Sequence, residues 1–510
     1  MSSHLLWCAT IALCACTAVH DDKPATAGTA DTAVTADADA DTDADTDTDT
    51  DADTDADTDA DTDADTDADT DTDTDTDTDA DPCMDVTDAL CWVRTNPMMI
   101  SGLVVQMPDP GASDVSRYVS EFGANTIHLW ATGLPDELAG WQAHTATRWI
   151  SWVEDDGTSA ANHAVTGGMG PNPAGRLAYQ VGDEPRNMTD MYALQVGVDA
   201  VRATDPEGLV IVNFGNPDDG VDRDTLAEHF AGPMSGDIIS YDFYSPNYSA
   251  YEPLEIYREV ALAYGLPYWR YLSSYSYAGE TDQWPEETDM RWDVMKGLVY
   301  GYTGHTWFLY QVHPAHGLTS SFFSSWGSWD AATQAQFDIA GDLNHELAII
   351  GRSVALLTST DVRFIPSTAL YTPRGTRNWS RGAGGDPFVT SIEAINESPL
   401  EFQDVSIGFF EDDAGQHYIM LQNPTHAGAD WPIMVADEAD FRVEFDFATA
   451  AESLDTSRIE VLNNRTGSIE TRLLSSTGPT TAAVQFTLDA GDAVLFKYAT
   501  GGEFVQQDGR

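Results

Sequence analysis

The sequence predicts an α/β chain: a (β/α)8 TIM barrel followed by an all-β sandwich, behind a disordered Asp-rich N-terminal spacer. Three observations predict it. Eight strand-like runs alternate with helical patterns over roughly 270 residues, the length and rhythm of such a barrel. Beyond about Asp361 the helical patterns stop and short alternating runs take over. Before Cys83 the chain is dominated by Asp, Thr and Ala. The expected organisation is a signal-like segment over 1–16, a spacer over 17–82, the barrel over 83–360 and the sandwich over 361–510.

Taken in order, Leu5 to Ala15 is an apolar run too short to span a bilayer. It has the form of the hydrophobic core of a secretion signal. Leu13-Cys14-Ala15-Cys16 resembles the bacterial lipobox, whose last cysteine is lipidated and becomes the mature N-terminus. Here that residue is Cys16. The n-region departs from the pattern, with His4 in place of Lys or Arg. The expectation is an exported protein, anchored to a membrane through Cys16 at the cell surface or in the periplasm. An ordinary cleaved signal would make it a secreted one.

From about Ala30 to Asp81 the chain alternates Asp with Ala or Thr. The period mimics a strand, but a charge at every second position repels its neighbours and Asp has poor β propensity. An extended spacer is the reading; fully stretched, some fifty residues reach on the order of 170 Å. Calcium binding by the Asp rows is disfavoured, because the central Gly and closing Glu of an EF-type loop do not occur.

The eight strand runs are Met99–Met107, Thr126–Trp130, Arg148–Val153, Ala178–Gly182, Leu209–Phe214, Asp237–Tyr244, Pro267–Tyr275 and His305–Val312. Helical patterns fall at Ser113–Phe122, Pro135–His144, Met188–Thr204, Thr225–Ala231, Pro253–Tyr264 and Asp289–Tyr300. Leu254, Tyr257, Val260, Ala261 and Tyr264 trace one helix face. The third crossover, Glu154 to Arg176, is Gly- and Pro-rich and reads as a long loop. Ala331–Leu357 closes the barrel with one or two helices. An open doubly wound sheet is the alternative, but no Gly-rich phosphate turn follows the first strand. The sandwich strands are Val405–Phe410, Tyr418–Gln422, Phe441–Phe447, Arg458–Leu462, Thr481–Leu488 and Ala493–Lys497.

Composition excludes some partners. The formal net charge is −62; the stretch from Asp21 to Pro82, with 26 Asp against one Lys, carries −25 of it, and −37 remains for the rest. Nucleic acid is not an expected partner of such a chain. Of the five cysteines, Cys83 and Cys91 read as a small disulfide loop in an exported protein. No metal site and no cofactor are expected. Asn344-His345-Glu346 lacks a second histidine at zinc-protease spacing, and His313 and His316 lack further ligands. No Gly-x-Ser-x-Gly elbow occurs.

The chemistry gathers at Gln180-Val181-Gly182-Asp183-Glu184-Pro185, two carboxylates at the end of the fourth strand. Carboxyl ends of barrel strands are where such folds place their reactive groups. Gly182-Asp183-Glu184-Pro185, Ile239-Ser240-Tyr241-Asp242-Phe243-Tyr244, Pro267-Tyr268-Trp269, Arg291-Trp292 and Gly301-Tyr302-Thr303-Gly304 together resemble clan A glycoside hydrolases, nearest to the bacterial family 42-like proteins. The likeness runs from about Pro97 to Leu356 and extends weakly into the sandwich at Gly408-Phe409-Phe410-Glu411 and Gln422-Asn423. It implies a carbohydrate substrate and makes the fourth-strand Glu184 the general acid/base. Cleaving a glycosidic bond needs a proton for a poor leaving group and a second group opposite it. A carboxyl lifted by a neighbouring carboxylate and by burial can supply that proton near neutral pH.

Two positions depart from the clan. Asp183 stands where the clan has Asn. The seventh strand ends Tyr271-Leu272-Ser273-Ser274 without the nucleophilic Glu; the next acids are Glu280 and Asp282 in the following loop. Glu280 could swing back as nucleophile, Asp242 could serve as base in an inverting reaction, or the second carboxylate is missing. Adjacent Asp and Glu at a fourth strand also resemble hexosaminidases, which use the substrate's acetamido group as nucleophile and an Asp to position it. The competing reading is a non-catalytic surface carbohydrate-binding or scaffold protein on a degenerate barrel. Aromatic rings near the strand ends, among them Trp130, Tyr241, Tyr244, Trp269, Tyr271 and Trp307, are candidates to stack on sugar faces. His128 and Asn213 are candidates to bind hydroxyls.

The lipid anchor has a direct test. A radioactive fatty acid fed to cells should label the protein, and Cys16→Ser should abolish the label.

Overall fold

The computed structural model describes most of residues 83–507. Residues 1–82, 131–133, 154–172, 278–284, 313–317, 367–372, 380–384, 396–403, 428–437 and 508–510, with a few isolated positions, lie outside the description. The expected signal, Cys16, the expected spacer and most of the third crossover therefore fall outside the described residues.

Eight parallel strands close into a barrel. They are β1 (Met99–Val105), β2 (Thr126–Trp130), β3 (Arg148–Val153), β4 (Arg176–Asp183), β5 (Leu209–Phe214), β6 (Ile238–Tyr241), β7 (Tyr268–Ser273) and β9 (Gly304–Val312). The short strand β8 (Tyr275–Tyr277) pairs antiparallel with β10 (Leu318–Ser320) beside the ends of β7 and β9. Helices α2 (Ala112–Ser116), α3 (Leu134–Gln142), α4 (Met188–Thr204), α5 (Arg223–Ala231), α6 (Tyr251–Tyr264), α7 (Glu287–Val299) and α8 (Ala331–Val354) fill the crossovers. α2 continues as one wider π turn over Arg117–Glu121. The expected strand β6 is shorter than its apolar run, because Asp242 to Tyr244 leave the ladder for the mouth.

The period of two sorts each strand between lumen and helix layer. Met99, Ile150, Ala178, Leu209, Ile211, Ile238 and Trp269 fill the lower lumen. Leu103, Val105, Trp152, Tyr271, Leu309 and Val312 form its upper, mouth-side layer. Between them lie buried polar groups: Ser101, His128, Gln180, Asn213, Ser240 and Thr306. The alternate residues, such as Ile100, Val104, Tyr179, Val212, Tyr241, Trp307 and Tyr310, pack outward against the helices.

A further helix, absent from the sequence expectation, closes the lower end. This is α1, Asp88–Thr95, placed first in the chain and capped by Thr87, whose Oγ1 accepts from Leu90 N at 3.3 Å. Its Ala89 and Val93 join the lower lumen cluster, and Trp92 meets Trp269 edge-on at 6.0 Å. The expected disulfide is present: Cys83 is bonded to Cys91 on this helix. The carbonyls at its C-terminal end would lack donors. Gln507, from the other end of the chain, gives Nε2 to Val93 O, Arg94 O and Asn96 O at 2.8, 2.9 and 2.8 Å.

From Thr358 onward the described residues form two antiparallel-dominated sheets of seven and four strands. Their facing side chains, among them Ile407, Phe409, Phe441, Phe445, Phe486 and Phe496, make a separate core. The larger sheet sits against α7 at backbone distance. A Cβ on Gly408 would lie 2.2 Å from Val299 O. Gln422 Nε2 donates to Trp292 O at 3.2 Å, and His426 stacks on the Trp292 ring at 4.1 Å. Glycine at 408 is thus a packing requirement. Gly408→Ala should lower the unfolding free energy by about 1–3 kcal/mol, measured by denaturant titration.

Candidate active site

The site is built at the end of β4. In the pairing of β4 with β5, Gln180 faces Ile211 but Asp183 faces Asn213, so β4 carries an extra residue at Val181–Gly182. Gly182 accommodates it with φ of 71°. Glu184 follows at φ of 43°, left-handed for a residue with a Cβ, at a cost of about 1–3 kcal/mol. Adjacent side chains on a regular strand point to opposite faces. The bulge and the left-handed turn bring Asp183 and Glu184 to the same mouth.

Strand β5 carries no acid, yet it holds all three carboxylates. The Asn213 carbonyl accepts from Glu184 N at 2.8 Å, and the Phe214 carbonyl accepts from Asp242 N at 3.0 Å. Asn213 Nδ2 donates to Asp183 Oδ1 at 2.8 Å and to Asp242 Oδ1 at 3.0 Å. Its Oδ1 accepts from Ser240 Oγ at 3.1 Å. Gly215 leaves the slot for the acid: a Cβ there would lie 2.6 Å from both Cγ and Oε1 of Glu184.

Glu184 and Asp242 are electrostatic neighbours, and the charge of Glu184 raises the Asp242 pKa. Two neighbouring buried carboxyls disfavour ionising together. Burial raises the Glu184 pKa above its ordinary value, while Arg186 and the Asp242 side chain pull it down. Burial lifts Asp242 further, helped by the charges of Glu184 and Asp183; Asn213 and Tyr244 oppose the rise with hydrogen bonds. Tyr271 and Tyr244 are held neutral by burial and by these same acids.

The remaining predicted residues separate by strand period. Tyr271 faces the mouth layer, its hydroxyl donating to Gln180 Oε1 at 2.6 Å. Tyr244 lies beside Asp242, whose pKa it lowers, and stacks on Phe308 at 5.7 Å. Trp130 stacks on Trp152 at 4.5 Å across the ends of β2 and β3. Three aromatic expectations are corrected. Tyr241 is 1 % exposed and points outward onto Tyr257, one residue out of phase with the lumen. Trp307 also points outward, its Nε1 donating to Asn344 Oδ1 at 2.8 Å. Trp269 points inward, but in the lower layer against α1.

Neither hydroxyl-binding candidate is available to a sugar. His128 is buried beneath Tyr271, and burial drops its pKa to about 3, so the ring is neutral. Asn213 spends its amide on Asp183, Asp242 and Ser240. Glu280 and Asp282 lie outside the described residues. The expected end of β7 carries serines, and Ser274 Oγ donates to Leu309 O at 3.0 Å. Gln180 and Phe308 were not singled out from the sequence; the period of two marks Gln180 as lumen-facing. Nothing local in the sequence marks Gly215. Among the described residues no cluster of metal-ligating side chains occurs, and no helix there is long and apolar enough to cross a membrane.

No protein-family model and no curated protein matches the chain. Solved structures similar to it include a glycoside hydrolase family 5 protein from Bacteroides vulgatus, 10% identical, covering 81% of this chain and 91% of that one at a TM-score of 0.49. A family 30 endoxylanase from Clostridium papyrosolvens is 9% identical, over 79% and 97% of the two chains, at 0.38. A family 30 subfamily 8 xylanase from Clostridium acetobutylicum is 10% identical over the same shares, at 0.38. All three scores fall below 0.5, so the fold assignment rests on the closed strand order itself.

The acid pair makes a pH prediction. Both carboxyls have raised folded pKa values, so the folded state holds protons that the unfolded state releases above about pH 4.3. The pair's contribution to stability is then present at low pH and lost as pH rises through the folded values. Glu184→Gln should therefore be progressively more stable than the native protein between pH 4 and neutrality, as read by denaturant titrations across pH.

Proposed function

We propose that the chain is an exported glycoside hydrolase, lipid-anchored at Cys16, in which Glu184 donates the proton to the leaving oxygen. One observation carries the reading: Glu184 stands at the end of β4 in the barrel mouth, its N–H held by the Asn213 carbonyl and its side chain set in the slot over Gly215. Burial there raises its pKa, the direction a general acid requires. Trp130, Trp152, Tyr244, Tyr271, Tyr275 and Phe308 give the mouth aromatic faces suited to a sugar ring.

The attacking group is set by what the mouth supplies: the described end of β7 carries serine, and Asp183 stands beside Glu184 in the chain, fixed by the Asn213 amide. The reading that fits is substrate assistance, with a 2-acetamido sugar as substrate. The acetamido oxygen attacks C1 as the C1–O bond breaks, and the Glu184 proton goes to the leaving oxygen. Asp183, fixed by Asn213, accepts the N–H of the cyclic intermediate. Water then adds at C1, returns a proton to Glu184, and the ring reopens to acetamide.

A second reading has its own observation. The seventh strand ends at Ser273 with Ser274 following, which favours a barrel that binds glycans without cutting them. Turnover separates the two. Purified protein should hydrolyse aryl 2-acetamido-2-deoxyglycosides and leave their 2-hydroxy counterparts nearly untouched. Glu184→Gln should lower kcat by about 10²–10⁴-fold, and Asp183→Asn should lower kcat more than it raises KM. Binding of chitin or peptidoglycan fragments with no turnover would favour the second reading.

A further inference from the structure

One stretch of the chain departs from the rest in charge. Ser320-Ser321-Phe322-Phe323-Ser324-Ser325-Trp326-Gly327-Ser328-Trp329 carries no ionisable group, in a protein whose residues are 21% charged and whose net charge is −62. It starts at the barrel mouth. Ser320 ends β10 opposite Tyr275 of β8, and Ser321 N donates to Ser274 O at 2.8 Å. It runs out to Asp330, the cap of α8. On the way the chain makes a tight reverse turn: Ser324 N donates to Ser328 O and Ser328 N to Ser325 O, both at 2.9 Å. Gly327 permits the turn with φ of 65°. Ser324, Ser325 and Ser328 are exposed, so the turn presents hydroxyls.

Trp329 follows with 45% of its surface exposed, the one exposed tryptophan among the described residues. A single exposed apolar side chain is ordinary. This one is held from below. The Arg117 guanidinium carbon lies 4.0 Å from the indole centroid and 3.6 Å from that of Phe337, and Phe323 meets the indole edge-on at 6.2 Å. Arg117 is itself buried, its Nη1 donating to Gln334 Oε1 at 3.0 Å. It opens the π turn Arg117–Glu121; such turns are rare and recur at functional sites. Because the arginine is buried, the face it covers is the inner one, and the exposed share of the indole lies on the outer face.

A flat ring with one open face, fixed before a ligand arrives, stacks on the C–H face of a sugar without losing rotamer freedom. Serine hydroxyls beside it suit the hydroxyl edge of the same sugar. The missing charge selects against ionic partners, and a second copy of so acidic a chain would be repelled. We propose that Trp329 and the serine turn form a distal binding site for a neutral polysaccharide, joined to the mouth by the β8–β10 ribbon. The proposal rests on the hydrolase reading for one point alone, that the mouth takes the same chain. The substrate is then a polymer and not a short glycoside.

The test uses full-length protein carrying Glu184→Gln, so that the polymer is not consumed. Binding is measured by depletion from suspensions of chitin and of cellulose, whose sugar faces both present axial C–H bonds. The protein should bind at least one of them saturably. Trp329→Ala should weaken that binding by at least about tenfold, and Trp329→Phe, which keeps a ring, by no more than about threefold. Near-ultraviolet circular dichroism verifies the fold of each variant. Affinity for soluble oligomers of the same sugar should rise with chain length, and Trp329→Ala should remove the rise. Equal binding by the folded Trp329→Ala variant, or no binding to either polymer, overturns the proposal. So does a concentration-dependent sedimentation shift that Trp329→Ala removes, which would give this face to a second copy of the chain. Turnover of the aryl 2-acetamido glycoside by native protein is read separately. A protein that binds polymer through Trp329 and cuts nothing refutes the hydrolase reading alone. One that cuts the glycoside, while Trp329→Ala binds polymer undiminished, refutes the distal site alone.

Discussion

A barrel strand gives each residue one of two neighbourhoods, and the alternation admits no exception without a bulge. That constraint governs this molecule. It sends Leu103, Tyr271 and Leu309 to the lumen and Val104, Tyr241 and Tyr310 to the helix layer. It would also have sent Asp183 and Glu184 to opposite sides. The extra residue at Val181–Gly182 suspends the rule for one step, and the contacts of Asp183 and Glu184 with β5 follow from that suspension.

The fold was legible because it depends on runs of many residues. The strands β2, β3 and β5 have the bounds that their apolar runs predicted, and α4 spans Met188–Thr204 as its pattern did. Such signals sum over a whole element and survive local noise. The helix α1 was not legible for the opposite reason: its eight residues are stabilised by the barrel floor, a disulfide and a glutamine over four hundred positions away. The aromatic residues were legible as a population and not singly. Tyr241 and Trp269 differ from Tyr271 by phase and by depth, and both need the strand's true register before they can be placed.

The site shows the same division. Glu184 could be placed at the mouth because a chain position, the end of the fourth strand, carries meaning by itself. Its neighbours could not be ranked, because which acid stands beside it turns on contacts between distant segments. Asn213 was noticed for its place at a strand end and expected to bind hydroxyls, whereas its amide holds two aspartates. A lone asparagine at a mouth suits a sugar hydroxyl as well as it suits two acids; the two carboxylates that claim it sit thirty and twenty-nine positions away. Gly215 is invisible in the sequence because its function is to have no side chain where Glu184 lies.

The closing of the barrel floor has a consequence for geometry at a larger scale. Cys83, bonded into α1, and Gln507, bonded to the end of the same helix, place both ends of the folded region at the base. The opening that holds Asp183, Glu184 and Asp242 is at the other pole. A surface, a tag or a second module joined at either end of the folded region would leave the approach to that opening clear. A protein wired in this way suits immobilisation through those ends, with its acid-lined mouth turned outward.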